Sequence, residues 1–214
     1  MMKISYAIPV KDEKQLVPFL NQLREWSYKS KLAEYDIVVL WDDSGDEKLY
    51  QEVCFNSILE MESNNLRPFE GKFENNFADW KNLLNSYCKG DWIIQLDADE
   101  TITEETFFAY EKAIVTLDEE DTECIQVPRY NIVDGLTEDD CNRWGWKWVG
   151  EEGINFPDYQ YRIYRKGLQW IRPVHEIIEA THYGVFPEVR KYCIIHKKDI
   201  ERQRQQNDYY SRNF

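Results

Sequence analysis

Twice in this chain a short apolar run stops abruptly at a group of carboxylates, and that pattern limits the fold more than any other. Tyr35-Asp36-Ile37-Val38-Val39-Leu40-Trp41 ends at Asp42-Asp43-Ser44-Gly45-Asp46, and Trp92-Ile93-Ile94-Gln95-Leu96 ends at Asp97-Ala98-Asp99-Glu100. Continuous apolar runs of this length read as strands buried on both faces, as in a parallel sheet covered by helices. Ile4–Val10 and Cys124–Pro128 read as further strands. Between them, Leu16, Phe19, Leu20 and Leu23 recur at helical spacing and predict a helix over residues 13–28. Tyr50 to Met61 predicts a second helix. Phe77, Trp80, Leu84 and Tyr87 mark a third, ended by Gly90. A fourth carries Phe107, Phe108, Ala113, Ile114 and Leu117 and opens on Thr101-Ile102-Thr103-Glu104, which has capping-box spacing.

This β-α-β-α alternation predicts an α/β/α sandwich, Rossmann-like, around a mainly parallel central sheet. Such sheets bind ligands beyond the carboxyl ends of their strands, so one crevice should receive both acidic loops. Gathered carboxylates repel one another and are costly to desolvate without a counter-charge. A divalent cation supplies one economically. Asp97 and Asp99 fall on the same side of an extended segment, with the small Ala98 between them. Oxygen ligands of this kind suit Mg²⁺ or Mn²⁺, with water and phosphate in the remaining positions. Glu100 has a blander reading, as the acidic N-terminus of the helix that follows.

A chain of 214 residues with 43% hydrophobic residues and eight Trp has ample material for one core. Its apolar runs are too short to cross a bilayer. Met1 to Val10 carries one Lys and is interrupted by Pro9, so no secretory signal is expected. Five scattered cysteines without a C-x-x-C pair suit a reducing cytoplasm, where the protein is expected to reside. The net charge of −14 argues against a generic nucleic-acid coat. It is unevenly spread, however. Residues 161–214 hold eleven Lys and Arg against six Asp and Glu, while residues 1–160 hold fifteen against thirty-four. The basic last quarter is either an ordinary solvated face or a surface for an anionic acceptor or nucleotide phosphates.

Four segments carry a family resemblance. "SYAIPVKDE" resembles the opening strand of family-2 glycosyltransferases of the GT-A fold, and "IVVLWDDSGD" resembles their V-V-D-D-G-S-x-D loop. "FADWKNLLNSYCKGDWIIQLDADE" is similar to the stretch that ends in the family's D-x-D motif, the most specific of the set. "FPDYQYRIYRKGLQWIRPVHEII" resembles P-D-x-Q-x-R-L-F and V-H-E segments of the branch that decorates bacterial surface polysaccharide cores. Together they make up about a third of the chain, in order, between Ser5 and Ile178.

The resemblance implies a nucleotide-diphosphate sugar donor (a UDP-sugar), a divalent metal, and inversion at the anomeric carbon. Carried onto this sequence, Pro9, Asp12 and Glu13 line the nucleoside pocket, although Asp12 stands where the family usually has Asn. Asp42 or Asp43 accepts a hydrogen bond from the base. Lys81, where the family prefers Arg, faces the phosphates. Asp97 contacts ribose or metal, Asp99 binds the metal, and His196 is a third metal ligand by analogy with enzymes that use a C-terminal histidine. Asp158, in Pro157-Asp158-Tyr159-Gln160, is the general base that an inverting transfer needs, unless it is simply a turn residue after Pro157; Glu151 and Glu152 stand in reserve. His175 is expected to hold Glu176 or a phosphate.

Residues 1–130 are expected to bind the donor and 131–198 the acceptor within one domain, with 199–214 a helical tail. Arg143-Trp144-Gly145-Trp146-Lys147-Trp148 offers rings for a sugar or a base, or else a lid or dimer contact. A surface-polysaccharide saccharide is the expected acceptor. The alternatives are a bacteriophage enzyme that glycosylates hydroxymethylated DNA bases with glucose or arabinose, and a non-catalytic nucleotide-sugar-binding module.

Overall fold

The computed structural model describes residues 1–58, 65–118, 120–150 and 153–213. β1 (Met2–Val10), β2 (Ala33–Asp42), β3 (Leu66–Gly71) and β4 (Trp92–Gln95) form a parallel half-sheet, linked by α1 (Leu16–Lys29), α2 (Glu47–Ile58) and α3 (Phe77–Tyr87). The chain continues through β5 (Glu100–Thr101), α4 (Glu104–Leu117), β6 (Cys124–Asp134), α5 (Glu138–Trp144) and β7 (Gly153–Arg165). β8 (Trp170–Ile171) and β9 (Ile177–Ile178) pair with each other in a small second sheet. β10 (Tyr183–Val185), a 3₁₀ turn at Arg190–Tyr192, β11 (Ile194–Asp199) and α6 (Ile200–Asn213) complete it.

The main sheet runs β3-β2-β1-β4-β7-β6-β11-β5, with β10 also on β6. β7 lies antiparallel between β4 and β6, and β5 is antiparallel to β11; the other pairings are parallel. The expected α/β architecture with a mostly parallel sheet is what the chain adopts. Strand alternation divides the core. Ile4, Tyr6 and Ile8 of β1 pack with Leu16, Leu20 and Leu23 of α1 and Phe107 and Ile114 of α4, while Ala7 faces Trp80 and Leu84 of α3 on the opposite side. Fully burying each of these large side chains contributes about 1.5–3 kcal/mol.

Several local expectations are corrected. Thr101 is paired with Ile195 in β5, so it is not free to cap; Thr103 Oγ1 caps α4 by accepting from Thr106 N. Gly90 does not end α3, whose C-cap is Cys88. Gly90 instead crosses close beneath β1, where a Cβ would lie 2.4 Å from Ser5 N. β3 occupies a segment for which the sequence predicts no element. α2 begins at Glu47, earlier than expected, and residues 59–61 of the predicted helix lie outside the described residues. The tail is α6, as expected. The boundary expected at residue 130 falls inside β6.

β7 places the site. Its ladder with β6 shifts register between Arg129 and Asn131, leaving residues 155–157 opposite Tyr130 alone. Pro157, which cannot donate to a ladder, sits in this irregularity. Asp158 follows it within the strand and is not a turn residue.

Candidate active site

A pocket of about 920 Å³ opens at the carboxyl ends of β1, β2 and β4. Pro9, Glu13, Asp42, Lys81, Asp97, Asp99, Asp158 and His196 all line it, so most of the residues singled out from sequence come together. Asp12 and Asp43 do not. Asp12 is exposed and accepts from Asp46 N, closing the loop after β2 onto the loop after β1. Asp43 is exposed at a turn, whereas Asp42 is buried and accepts from Ser44 N and Oγ. Of that pair only Asp42 faces the pocket. Glu151 and Glu152 lie outside the described residues.

The carboxylates after β4 do have counter-charges, and two of them are arginines. Glu100 is fully buried, not a helix-end charge: its Oε1 accepts from Arg129 Nη1 at 3.0 Å and from Arg162 Nη2 at 2.7 Å. Its Oε2 accepts from Asp97 N, which closes the turn of the motif. Arg162 Nη2 also donates to Asp97 Oδ2 at 2.6 Å, and Gln95 Nε2 to Asp97 Oδ1 at 2.9 Å. Burial alone would raise the Asp97 carboxyl; Arg162, with Lys81 and Arg129 behind it, overcomes this and holds it well below the usual carboxylate range. The expectation that a cation answers the whole acidic cluster is therefore too simple. Arg162 and Arg129 answer Asp97 and Glu100, and Asp99 is left for other company.

Asp99 Oδ2 faces His196 Nε2 at 3.3 Å and Arg202 Nη2 at 3.5 Å. Burial raises this carboxyl too, and His196 leads the groups that bring it below its ordinary value. The far side of His196 is fixed by Asn131. Asn131 Nδ2 donates to Asp158 Oδ2 at 2.9 Å, and an ionised carboxylate can only accept. The amide oxygen is thereby turned to His196 Nδ1, 2.8 Å away. Nδ1 then carries a hydrogen, and Nε2 is turned to Asp99. Across 3.3 Å the two groups are joined by a proton on Nε2 or by a cation held between them. Among the described residues no three His, Cys, Asp or Glu side chains gather around a metal-sized site. Asp99 and His196 thus offer a two-ligand site, which fits a hard divalent ion that completes its shell with phosphate and water.

Asp158 is the meeting point of the other wall. Its Oδ2 takes Arg129 Nε at 2.9 Å, Arg129 Nη2 at 2.7 Å and Asn131 Nδ2; its Oδ1 takes only Gln160 Nε2 at 2.7 Å. Burial raises its carboxyl, and Arg129 with these hydrogen bonds more than offsets it, leaving the group ionised and below its ordinary value. Oδ1 keeps lone-pair capacity for a further donor. Lys81 lies over the Trp170 ring at 4.4 Å and pairs with Glu176, so Glu176 is held by Lys81, while His175 lines the pocket beside it. Sequence reasoning missed Arg129, Asn131 and the structural part played by Arg162 and Glu100.

The glycosyl transferase family 2 profile matches residues 5–199. The chain belongs to that family. Among solved structures it is similar to TarS 1–349 of S. aureus in complex with UDP-GlcNAc, with TM-score 0.59, 17% identity, and coverage of 92% of this chain and 59% of that one. The complex of TarS 1–349 with UDP gives TM-score 0.58 at 15% identity, covering 92% and 61%. Mannosyltransferase PcManGT from Pyrobaculum calidifontis, in complex with GDP-Man and Mn²⁺, gives 0.56 at 12% identity, covering 90% and 56%. This family member spans about three fifths of the length of those TarS structures. At such identities the likeness is one of fold, the GT-A glycosyltransferase fold. No curated protein sequence matches the chain.

Proposed function

We propose that this chain is a metal-dependent, inverting glycosyltransferase that moves a sugar from a nucleotide-diphosphate donor, a UDP-sugar, to a saccharide hydroxyl. The observation that carries the reading is the convergence of Asp99, His196 and Asp158 in one pocket at the carboxyl edge of the parallel strands. TarS with UDP-GlcNAc and PcManGT with GDP-Man and Mn²⁺ support a nucleotide-sugar donor and a divalent ion.

Pro9, Glu13 and Asp42 receive the nucleoside, with Asp42 accepting from the base. Lys81 faces the diphosphate and exchanges Glu176 for it. Asp97, anchored by Arg162, is placed for the ribose or the metal edge, and Asp99 with His196 Nε2 holds Mn²⁺ or Mg²⁺. That ion would neutralise charge on the departing diphosphate. Asp158 Oδ1 accepts the proton of the acceptor hydroxyl as its oxygen bonds to the anomeric carbon. The bond from that carbon to the phosphate oxygen breaks on the opposite side, and the diphosphate leaves with the electron pair.

The charge distribution favours a saccharide over duplex DNA. Of the eleven basic residues in 161–214, Arg162, Arg165, Lys191, Lys197, Arg202 and Arg204 pair with carboxylates from the first 160 residues. A duplex needs cations free to meet phosphates. Among the described residues no helix is long and apolar enough to cross a membrane.

Thermal shift over a panel of nucleotide sugars, with Mn²⁺ and with chelator, tests the reading. One donor should raise the melting temperature only with metal. Asp99→Asn should remove that shift, and Asp158→Asn should keep it while turnover falls by about 10²–10⁴-fold. Donor binding that ignores both metal and Asp99 would overturn the metal assignment.

A further inference from the structure

Behind Asp158 lies a second, smaller cavity of about 270 Å³. It shares Arg129, Asp158, His196, Lys198 and Gln206 with the large pocket, so the two spaces adjoin at these side chains. Beyond this shared border the lining changes character. Amides from β6, β7 and α6 face it (Asn131, Asn155, Gln203, Asn207), and Trp146 with Ile132, Val133 and Ile154 supplies the apolar surface.

We propose that this smaller cavity is the acceptor subsite and that it takes a single uncharged sugar ring, with the reacting hydroxyl directed at Asp158. The inference rests on the transferase reading and names the substrate class of that reaction. At about 30 Å³ per water, 270 Å³ holds roughly nine waters, enough for one pyranose ring. Asn131 is spent on Asp158 and His196, Asn155 Oδ1 accepts from Lys147 N, and Gln203 Nε2 donates to Asn207 Oδ1, which leaves Asn155 Nδ2, Asn207 Nδ2 and Gln203 Oε1 as the donors and acceptor to meet hydroxyls. The indole of Trp146 packs on the Val133, Cys141 and Ile154 cluster and meets Trp144 with ring centroids 4.7 Å apart, so the wall that would receive the C–H face of a sugar is braced from behind.

The cations of the shared border are engaged. Arg129 holds Glu100 and Asp158, and Lys198 Nζ donates to Gln206 Oε1 at 2.6 Å. An acidic or phosphorylated sugar would compete with those partners, whereas a neutral ring leaves them in place. A flipped nucleobase is matched less well, because Trp146 is the one aromatic side chain among the lining residues.

Saturation-transfer NMR on the full chain tests this. The probes are the methyl glycosides of glucose, galactose, mannose and N-acetylglucosamine, beside glucuronic acid, glucose 6-phosphate and an oligonucleotide carrying hydroxymethylcytosine. At least one neutral glycoside should bind, and bind more tightly than the charged sugars and the oligonucleotide. Trp146→Ala should weaken it at least tenfold while metal-dependent nucleotide binding, read by thermal shift, is retained. Should that variant fail to fold, Asn207→Phe, on the half-exposed face of α6, fills the cavity and should have the same effect. Binding of no neutral glycoside, equal binding of the charged probes, or glycoside binding indifferent to both variants would overturn the subsite. A chain that binds glycosides but no nucleotide sugar would instead overturn the transferase reading.

Discussion

Asn131 is the residue that ties Asp158, the proposed base, to His196 and Asp99, the proposed metal ligands. Asp97, Arg162, Glu100, Arg129, Asp158, Asn131, His196 and Asp99 form one continuous chain of polar contacts, and Asn131 is its only uncharged amide link. Leucine has the same number and branching of side-chain heavy atoms but neither orients the imidazole nor donates to Asp158. Partners of this kind are worth about 10–100-fold in metal affinity or activity. Asn131→Leu should therefore weaken Mn²⁺ binding by about 10–100-fold in a direct titration, and lower turnover as well. Unchanged Mn²⁺ affinity would remove His196 from the metal site. Asp97, Asp99 and Asp158 are legible in the sequence because each sits in a short quotable motif. Asn131 and Arg129 are not, since their partner Asp158 lies 27 and 29 positions away and only the β6–β7 pairing brings them together. Glu100 misleads for a related reason: an acidic residue before a helix looks like a helix-end charge until two arginines from distant strands close over it.

At the scale of elements, the parallel half apart from β3 was readable from periodicity, and the start of the antiparallel β7 was not. β1, β2, β4 and α3 announce themselves as apolar runs and a helical stripe. The start of β7 hides because Phe156-Pro157-Asp158 reads locally as a turn, and only the irregular ladder to β6 accommodates the proline within a strand. Gly90 was noticed but given the wrong work. It donates from N to Ser5 Oγ at 2.8 Å, and Ser5 Oγ in turn donates to Asp36, so the approach to β4 is tied to β1 and β2 from below. A methyl at Gly90 would meet backbone atoms of β1 that cannot swing aside. Gly90→Ala should destabilise by about 1–3 kcal/mol in urea unfolding through overpacking. A variant as stable as the parent would mean that β4 can shift relative to β1 without loss.

For the whole molecule, the opposed charges of the two sequence segments are a folding device as much as a surface. The C-terminal cations return to the acidic body, and the deepest pairing is Arg162, only 3% exposed, with Asp97 and Glu100. The imbalance was legible from composition; its internal use required the sheet order, which places β7 beside β4. Asp97, Asp99 and Asp158 are all held below the ordinary carboxylate value, so they bind protons less readily folded than unfolded. Their contribution to stability is complete above an unfolded pKa of about 3.9 and is lost as pH falls through the lower folded values. The melting temperature should hold between about pH 5 and 7 and fall below about pH 4. Arg162→Met leaves buried Glu100 with Arg129 alone, and removing one partner of a buried pair costs about 3–5 kcal/mol. Its curve should lie lower at neutral pH, with a shallower acid limb, because Asp97 has lost the partner that kept it ionised. Melting curves of parent and variant that run parallel from pH 7 to pH 3 would show that Arg162 does not govern the ionisation of Asp97.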